Sequence, residues 1–196
     1  MTFNALLCGV GGEGVLLTSV IISRAAAMEG YDVRGTQLHG LAQRGGRIPT
    51  HIRFGGEVFS PTIPRGEADL ILGLEPVEAA RECYFADKKR TVFVIDTYPI
   101  VPVYANLLKE RYPGMDEIRE MIAPFARKAV FIDASNICKQ RLGDPIYGNV
   151  MAIGVCISSG ALPLKKASIE KALDKTAPRH AEQNIKAFRM GLDYKG

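Results

Sequence analysis

The sequence predicts an α/β protein with a mixed, mainly parallel sheet, and three observations support this class. Short apolar segments alternate with segments of helical length along most of the 196 residues. The first 36 residues follow the order strand, glycine turn, helix, strand, which is typical of a parallel βαβ unit. An alternating segment followed by two glycines predicts a β-hairpin insertion near residues 48–60. We therefore expect helices packed outside a sheet that one antiparallel hairpin interrupts.

The N-terminal elements define this pattern. Residues 3–9 are short, apolar and ended by glycine, which predicts a buried strand. The glycine turn at residues 9–14 leads into a helix over residues 15–29, which Gly30 closes. Residues 31–36 then form the second strand.

The hairpin and the later elements follow from alternation and helical spacing. Residues 48–54 alternate as a strand, and Gly55-Gly56 joins them to a second strand over residues 57–60. Further predicted strands cover residues 69–74, 91–95 and 129–132. Predicted helices cover residues 76–85, 115–126, 149–160, 165–175 and 180–191.

Composition and charge exclude several classes of protein. The chain has 47% hydrophobic and 23% charged residues, as a globular protein does, and we expect one domain over residues 1–196. A net charge of +4 with scattered basic residues does not indicate a nucleic-acid surface. No apolar run approaches the roughly 20 residues of a membrane span, and the N-terminus lacks the basic region of a signal peptide. We expect a cytoplasmic protein with no nucleic-acid and no membrane partner.

The four cysteines do not form a metal-binding pattern. Cys8, Cys83, Cys138 and Cys156 lie far apart, with no C-x-x-C pair and no nearby histidine. Zinc and iron–sulfur sites use ligands at short, regular spacings. We expect reduced, buried thiols and no metal held by this chain alone.

The glycine turn is the first candidate binding site. A strand, then G-x-G-x-x-G, then a helix can place an anion at the helix N-terminus, so Gly9, Gly11 and Gly14 could hold a pyrophosphate. The acid that would bind a ribose is absent from the end of the second strand, and Glu13 would repel a phosphate. A stand-alone dinucleotide-binding module and a turn that only packs helix against strand both stay open.

The polar loop over residues 37–46 is the second candidate site. It places His39, Gln43 and Arg44 within six positions, and glycines at 45 and 46 allow close approach. An imidazole, an amide and a guanidinium can donate directed hydrogen bonds to a phosphate, a carboxylate or a partner backbone. The same side chains could instead order the loop itself.

Three further polar residues lie at the ends of predicted elements. Asp96 and Glu75 follow strands, where ligands bind in open α/β sheets, although a turn or a helix cap explains either one. Asn149 begins the apolar helix and is expected to cap it.

The two motifs occur together in a known family. The pairing of G-x-G-G-x-G at residues 9–14 with H-G-x-x-Q-R-G-G at residues 39–46 resembles the gamma-type domain of the 2-oxoacid:ferredoxin oxidoreductases. The resemblance is strongest to small (beta) subunits of the indolepyruvate type. Segments at residues 60–79, 148–154 and 184–191 extend it over nearly the whole chain. The family usually has Gln where this chain has Glu13.

The resemblance implies a subunit of a larger enzyme. In this family thiamine diphosphate and the iron–sulfur clusters belong to other domains or to a large (alpha) subunit, so no cofactor is expected on this chain alone. The implied reaction is oxidative decarboxylation of an aryl 2-oxoacid such as indolepyruvate, with coenzyme A and ferredoxin, and the lone chain is expected to be inactive. The family fold also implies a strongly curled, barrel-like sheet.

The resemblance also implies roles for individual residues. The loop of residues 39–46 would face the active site of the large subunit, with Arg44 against a phosphate or carboxylate and with His39 and Gln43 setting hydrogen bonds. The sequence identifies no catalytic residue. The expected cofactor-binding residues are Gly9, Gly11, Gly12, Gly14, Gly45, Gly46 and Asn149.

Two rival interpretations stay open within this resemblance. The chain could serve a family member that acts on pyruvate, 2-oxoglutarate or a branched-chain 2-oxoacid, because the substrate pocket is expected to lie mostly in the partner. It could also be a scaffold that places no residue at the active site.

Overall fold

The computed structural model describes residues 2–12, 14–38, 46–101 and 111–195, and within these ranges the chain forms six strands and seven α-helices. The strands are β1 (Thr2–Cys8), β2 (Asp32–Gln37), β3 (Thr50–Gly55), β4 (Leu70–Gly73), β5 (Val92–Asp96) and β6 (Lys128–Ile132). The helices are α1 (Val15–Met28), α2 (Pro76–Arg81), α3 (Met115–Ile122), α4 (Ala134–Leu142), α5 (Gly148–Ser158), α6 (Lys166–Thr176) and α7 (Ala181–Leu192). The predicted α/β class is confirmed.

The strands form one mixed sheet in the order β2-β3-β1-β4-β5-β6. Strands β1, β4, β5 and β6 pair in parallel in that order, whereas β3 lies antiparallel between β1 and β2. β1 and β2 therefore run in the same direction on either side of β3, as the predicted βαβ unit requires. Among the described strands the ladder ends at β2 and at β6, so the sheet is open. The barrel-like curl is not confirmed and stays a prediction.

The β-hairpin predicted over residues 48–60 is wrong. Strand β3 pairs with β1 along one edge and with β2 along the other, which leaves no edge for a strand at residues 57–60. That segment is held by a side chain instead, because Val58 N–H donates to Asp32 Oδ2 at 3.0 Å. The antiparallel element that the sequence indicated is real, but its partners are the first two strands.

Both faces of the sheet are covered by helices. Alternate side chains of a strand point to opposite faces, so Leu7 and Leu72 pack with α1 and α4 to α7, while Leu6 and Phe93 pack with α2 and α3. This double coverage explains why the parallel strands are continuous apolar runs in the sequence.

The apolar helix α5 crosses α7 at two glycines. A Cβ on Gly191 would lie 2.0 Å from the Met151 carbonyl oxygen, and one on Gly154 would lie 2.3 Å from the Phe188 carbonyl oxygen. A larger residue does not fit at either position, so the two helix backbones lie in direct contact. This contact fixes α5, whose first turn borders the candidate site.

Candidate functional site

The carboxyl ends of the parallel strands meet at one edge of the sheet, and the candidate site lies there. β1 leads into the glycine turn, β4 into Leu74 and Glu75, β5 ends at Asp96, and β6 leads into Asp133. Ligands of open α/β sheets bind outside this edge, because side chains from several strands converge at it.

The two sequence motifs lie side by side at this edge. Gly11 N–H donates to the Gly46 carbonyl, and Ile48 N–H donates to the Gly9 carbonyl, both at 2.9 Å. The glycine turn is thus joined through its backbone to the end of the polar loop. Gly11 N–H, one of the donors that a pyrophosphate would need, is used in this contact.

Residues 39–45 of the polar loop lie outside the described part of the chain. They include His39, Gln43, Arg44 and Gly45, and Glu13 of the glycine turn lies outside it as well. The roles predicted for them stay predictions.

Gly14 brings the glycine turn against helix α5. It precedes α1 with a left-handed φ of 81°, and a Cβ there would lie 2.3 Å from Asn149 Nδ2. Asn149 does not cap α5, because Tyr147 occupies the N-cap position and Asn149 lies within the first turn. Its side chain is instead turned toward the glycine turn, where the bare backbone of Gly14 leaves room for it.

A cavity of about 200 Å³ opens beside the glycine turn. Its apolar walls come from Leu74, Tyr98, Ile100, Pro145 and Ile146. Its polar lining consists of Gly12, Asp96, Ser135, Asp144 and Asn149. Among the described residues, the lining therefore contains two carboxylic acids and no Lys, Arg or His.

Asp96 is the most deeply buried of the polar side chains described in this cavity, with 1% of its surface exposed. Its Oδ2 accepts hydrogen bonds from Ser135 N–H at 3.0 Å and from the Ser135 hydroxyl at 2.6 Å, and its Oδ1 accepts from Tyr98 N–H at 3.2 Å. Burial raises the pKa of Asp96 to about 6, and the charge of Asp133 adds to the rise, while the three hydrogen bonds oppose it. The group can therefore change protonation state close to neutral pH.

Glu75 fixes the wall of the cavity that carries Ile100. Its Oε2 caps α2 by accepting from Glu78 N–H at 2.9 Å, and Pro76 follows as the first helical residue, as predicted for a cap. Its Oε1 accepts from the Tyr112 hydroxyl and from Ile100 N–H at 3.4 Å. One buried carboxylate thus ties the segment after β5 to the start of α2.

Arg47, the residue after the polar loop, forms an ion-pair cluster with two buried glutamates. Its Nη2 lies 2.5 Å from Glu82 Oε1, and its Nε lies 3.8 Å from Glu78 Oε2. Glu82 is 0% exposed, whereas the Arg47 side chain is 44% exposed. Burial raises the pKa of Glu78, and burial together with the nearby glutamates raises the pKa of the Cys8 thiol well above its usual range. The thiol therefore stays protonated and unreactive.

Sequence reasoning did not find Arg47, Glu82 or Ser135. Glu78 and Glu82 lie four residues apart, a spacing that places them on one side of a helical segment, and this is the signal that could have indicated the cluster. Ser135 gives no such signal, because only the packing of α4 against β5 brings it to Asp96.

The described residues do not fit an iron–sulfur cluster or the diphosphate of thiamine. The four cysteines are buried separately, and the described ranges contain no group of three His, Cys, Asp or Glu side chains able to hold a metal ion. A diphosphate needs cations or donated N–H groups, whereas the cavity presents two carboxylic acids. No redox or thiamine step is therefore assigned to these residues. In the part of the chain that the structure describes, none of the helices has the length and apolar character needed to cross a bilayer.

Comparison with known proteins gives a consistent result over nearly the whole chain. Residues 4–194 match the family model described as pyruvate ferredoxin/flavodoxin oxidoreductase. The chain is 35% identical over 194 residues to the indolepyruvate oxidoreductase subunit IorB of Archaeoglobus fulgidus, a match that covers 98% of this chain and 95% of that protein. It is also 35% identical over 193 residues to the protein of the same name from Methanothermobacter thermautotrophicus, with 98% and 97% covered.

Solved structures show the same fold. The gamma subunit of a keto/oxoacid ferredoxin oxidoreductase from Geobacter sulfurreducens aligns with a TM-score of 0.67 at 23% identity, covering 97% of this chain and 96% of that one. A 2-oxoglutarate:ferredoxin oxidoreductase from Magnetococcus marinus aligns with a TM-score of 0.72 at 16% identity. That match covers 97% of this chain but 30% of the longer chain.

Proposed function

Because the chain belongs to the pyruvate ferredoxin/flavodoxin oxidoreductase family, we propose that it is the small subunit of an indolepyruvate-type 2-oxoacid:ferredoxin oxidoreductase. The observation that carries this proposal is 35% identity over 194 residues to an indolepyruvate oxidoreductase subunit. The assembled enzyme oxidises an aryl 2-oxoacid with coenzyme A to an acyl-CoA and carbon dioxide. Two electrons pass to ferredoxin in the process.

The cofactors are proposed to belong to the large (alpha) subunit. Thiamine diphosphate supplies the carbanion chemistry of decarboxylation, and the iron–sulfur clusters carry the electrons away. The separate, buried cysteines and the acidic cavity of the small subunit support this division. The lone chain is accordingly proposed to be inactive, to act as a single domain over residues 1–196, and to work in the cytoplasm.

The polar loop is proposed to face the active site of the large subunit. His39, Gln43 and Arg44 would supply directed donors, and Arg44 would meet a carboxylate or a phosphate. The backbone bond between Gly11 and Gly46 supports this arrangement, because it ties the loop to the edge of the sheet where ligands bind.

Purification of the native complex through a tag on this chain tests the proposal. We expect a large chain at equal stoichiometry, with bound thiamine diphosphate and iron, and ferredoxin reduction that is faster with indolepyruvate than with pyruvate or 2-oxoglutarate. A complex that prefers the small substrates would keep the family role and overturn the aryl specificity. A lone chain that retains a dinucleotide would overturn the subunit role itself.

A further inference from the structure

We propose that the open edge of β2 pairs with β2 of a second copy of this chain, antiparallel and with Val33 opposite Val33. Strand β2 lies at one end of the sheet order, and no other described strand covers its outer edge. An uncovered edge is a template for pairing with another chain. The backbone and the charges of β2 complement a second β2 in one register, and this self-complementarity selects a second copy as the occupant.

The backbone groups that face the open edge belong to alternate residues of β2. Leu38 N–H donates to the Pro49 carbonyl at 3.1 Å, which makes Leu38 and Pro49 a hydrogen-bonded pair of the antiparallel ladder. Such pairs alternate along a ladder, so the even-numbered residues of β2 bond to β3. The N–H and C=O groups of Val33 and Gly35 therefore point the other way, toward the open edge. They can bond to a second strand without breaking any bond to β3.

The charges of β2 select the register. Asp32 Oδ1 and Arg34 Nη1 lie 3.3 Å apart, on one face of the strand. With Val33 opposite Val33, each Asp32 lies opposite Arg34 of the second copy, so charges of alternating sign lie side by side. A shift of one pairing step in either direction places Asp32 opposite Asp32 or Arg34 opposite Arg34, and directly opposed like charges destabilise a sheet. With Gly35 opposite Gly35, Arg34 lies opposite Thr36 and no ion pair forms.

The same register covers apolar groups beside the edge. On the other face of the strand, Tyr31 lies opposite Gly35 of the second copy, where an aromatic ring can cover a residue that has no side chain. Tyr31 is 40% exposed in the isolated chain. Phe59, which is 91% exposed, lies beside the start of β2 because Val58 N–H is bonded to Asp32. Pairing would therefore shield exposed aromatic surface from water.

The oligomeric state of the full-length chain gives the first test. The interface is built around one short strand, so we expect a weak dimer with a dissociation constant in the micromolar range. Sedimentation equilibrium measures this constant, and the expectation does not depend on the reaction of the assembled enzyme. A chain that stays monomeric at about 1 mM would show that the charges of β2 only protect the edge, and this result overturns the proposal.

Charge reversal tests the register. Arg34→Glu and Asp32→Lys should each weaken the homodimer at least about tenfold, because like charges then lie opposite each other. An equimolar mixture of the two variants should recover the dimer, since every opposed pair in the heterodimer has opposite charges. The control Arg189→Glu reverses an exposed arginine of α7 and should leave the dimer unchanged. Equal weakening by Arg34→Glu and Arg189→Glu, or a mixture of folded variants that stays monomeric, overturns the proposal.

A disulfide identifies the occupant without any change of charge. In the proposed register the Cα atoms of the two Val33 residues lie roughly 5.5 Å apart, a distance that a disulfide spans. On oxidation, Val33→Cys should form a covalent dimer and Gly35→Cys should not, while the four native cysteines are buried. A covalent dimer of Gly35→Cys alone would indicate another register. In the purified complex, a Val33→Cys link to the large chain instead of a second copy would indicate another occupant. Either result overturns the proposal.

Discussion

Asp96 holds the start of helix α4 through Ser135, because one of its carboxylate oxygens accepts both the backbone N–H at 3.0 Å and the hydroxyl at 2.6 Å. N–H groups in the first turn of a helix lack partners within the helix and favour a negative charge. The same carboxylate lines the cavity and is almost completely buried. One side chain therefore connects the end of β5, the start of α4 and the cavity.

We expect Asp96 to make the stability of the protein depend on pH. Its folded-state pKa of about 6 lies above the usual value of roughly 3.9, so the folded state binds the extra proton between these values. The free energy of unfolding should therefore fall as pH rises through this window. Relative to wild type, Asp96→Asn should gain up to about 3 kcal/mol between pH 4 and pH 7.5, measured by urea denaturation.

A matched control is Asp116→Asn, which removes an exposed carboxylate at the start of α3. Its stability relative to wild type should change little over the same pH range. If the stabilities of the Asp96 and Asp116 variants changed with pH in the same way, burial of Asp96 would not be the cause of the pH dependence.

We expect Arg47→Met to destabilise the protein by about 2–4 kcal/mol at pH 7.5, because it leaves the buried Glu82 carboxylate without its cation. Adding Glu82→Gln to this variant should restore most of the loss, since the uncompensated charge is then removed. The control Arg189→Met breaks the exposed pair with Glu170 and should cost less than about 1 kcal/mol. Urea denaturation of these three variants and of the wild type gives the losses, and equal losses for Arg47→Met and Arg189→Met would contradict the prediction.

We expect Gly191→Ala to destabilise the protein, although helix propensity alone favours alanine by about 0.5–1 kcal/mol. The added methyl would lie 2.0 Å from the Met151 carbonyl oxygen, and a backbone atom cannot move aside cheaply. The α5–α7 crossing must open, at a cost of about 1–3 kcal/mol or more. Thermal unfolding gives the sign of the stability change directly. A raised melting temperature in Gly191→Ala would show that the two helices are not held in close contact.

The order of elements was predictable because apolar periodicity is a local property of the chain. The place of β3 in the sheet was not predictable. Its two edges pair with β1 and β2, which are earlier in the chain, and this leaves no edge of β3 for residues 57–60. Helix α4 also escaped prediction, since its burial is limited to Ala134 and Cys138 and its polar residues show no clear stripe. Local patterns report periodicity, whereas the choice of partners is made by distant segments.

The candidate site was predictable in part for the same reason. Asp96 could be recognised as an acid at the end of a strand, but its partner Ser135 lies 39 residues further along the chain. Arg47 and Glu82 are separated by 35 residues, and neither belongs to a motif. Motifs identified the glycine turn, while the buried charges around it became visible only when distant segments packed together.

We expect Arg44→Ala to leave the complex assembled and to lower kcat/KM for the 2-oxoacid or for coenzyme A at least about tenfold, because a charge-assisted hydrogen bond to a ligand anion is removed. Arg44→Lys should recover only part of the activity, since an ammonium group lacks the two-pronged geometry of guanidinium. The control Arg141→Ala removes an exposed arginine of α4 and should change neither assembly nor turnover. Steady-state kinetics and size-exclusion chromatography of the three complexes provide the measurement. Unchanged assembly and turnover in Arg44→Ala would favour a scaffold role, whereas lost assembly would make Arg44 an interface residue.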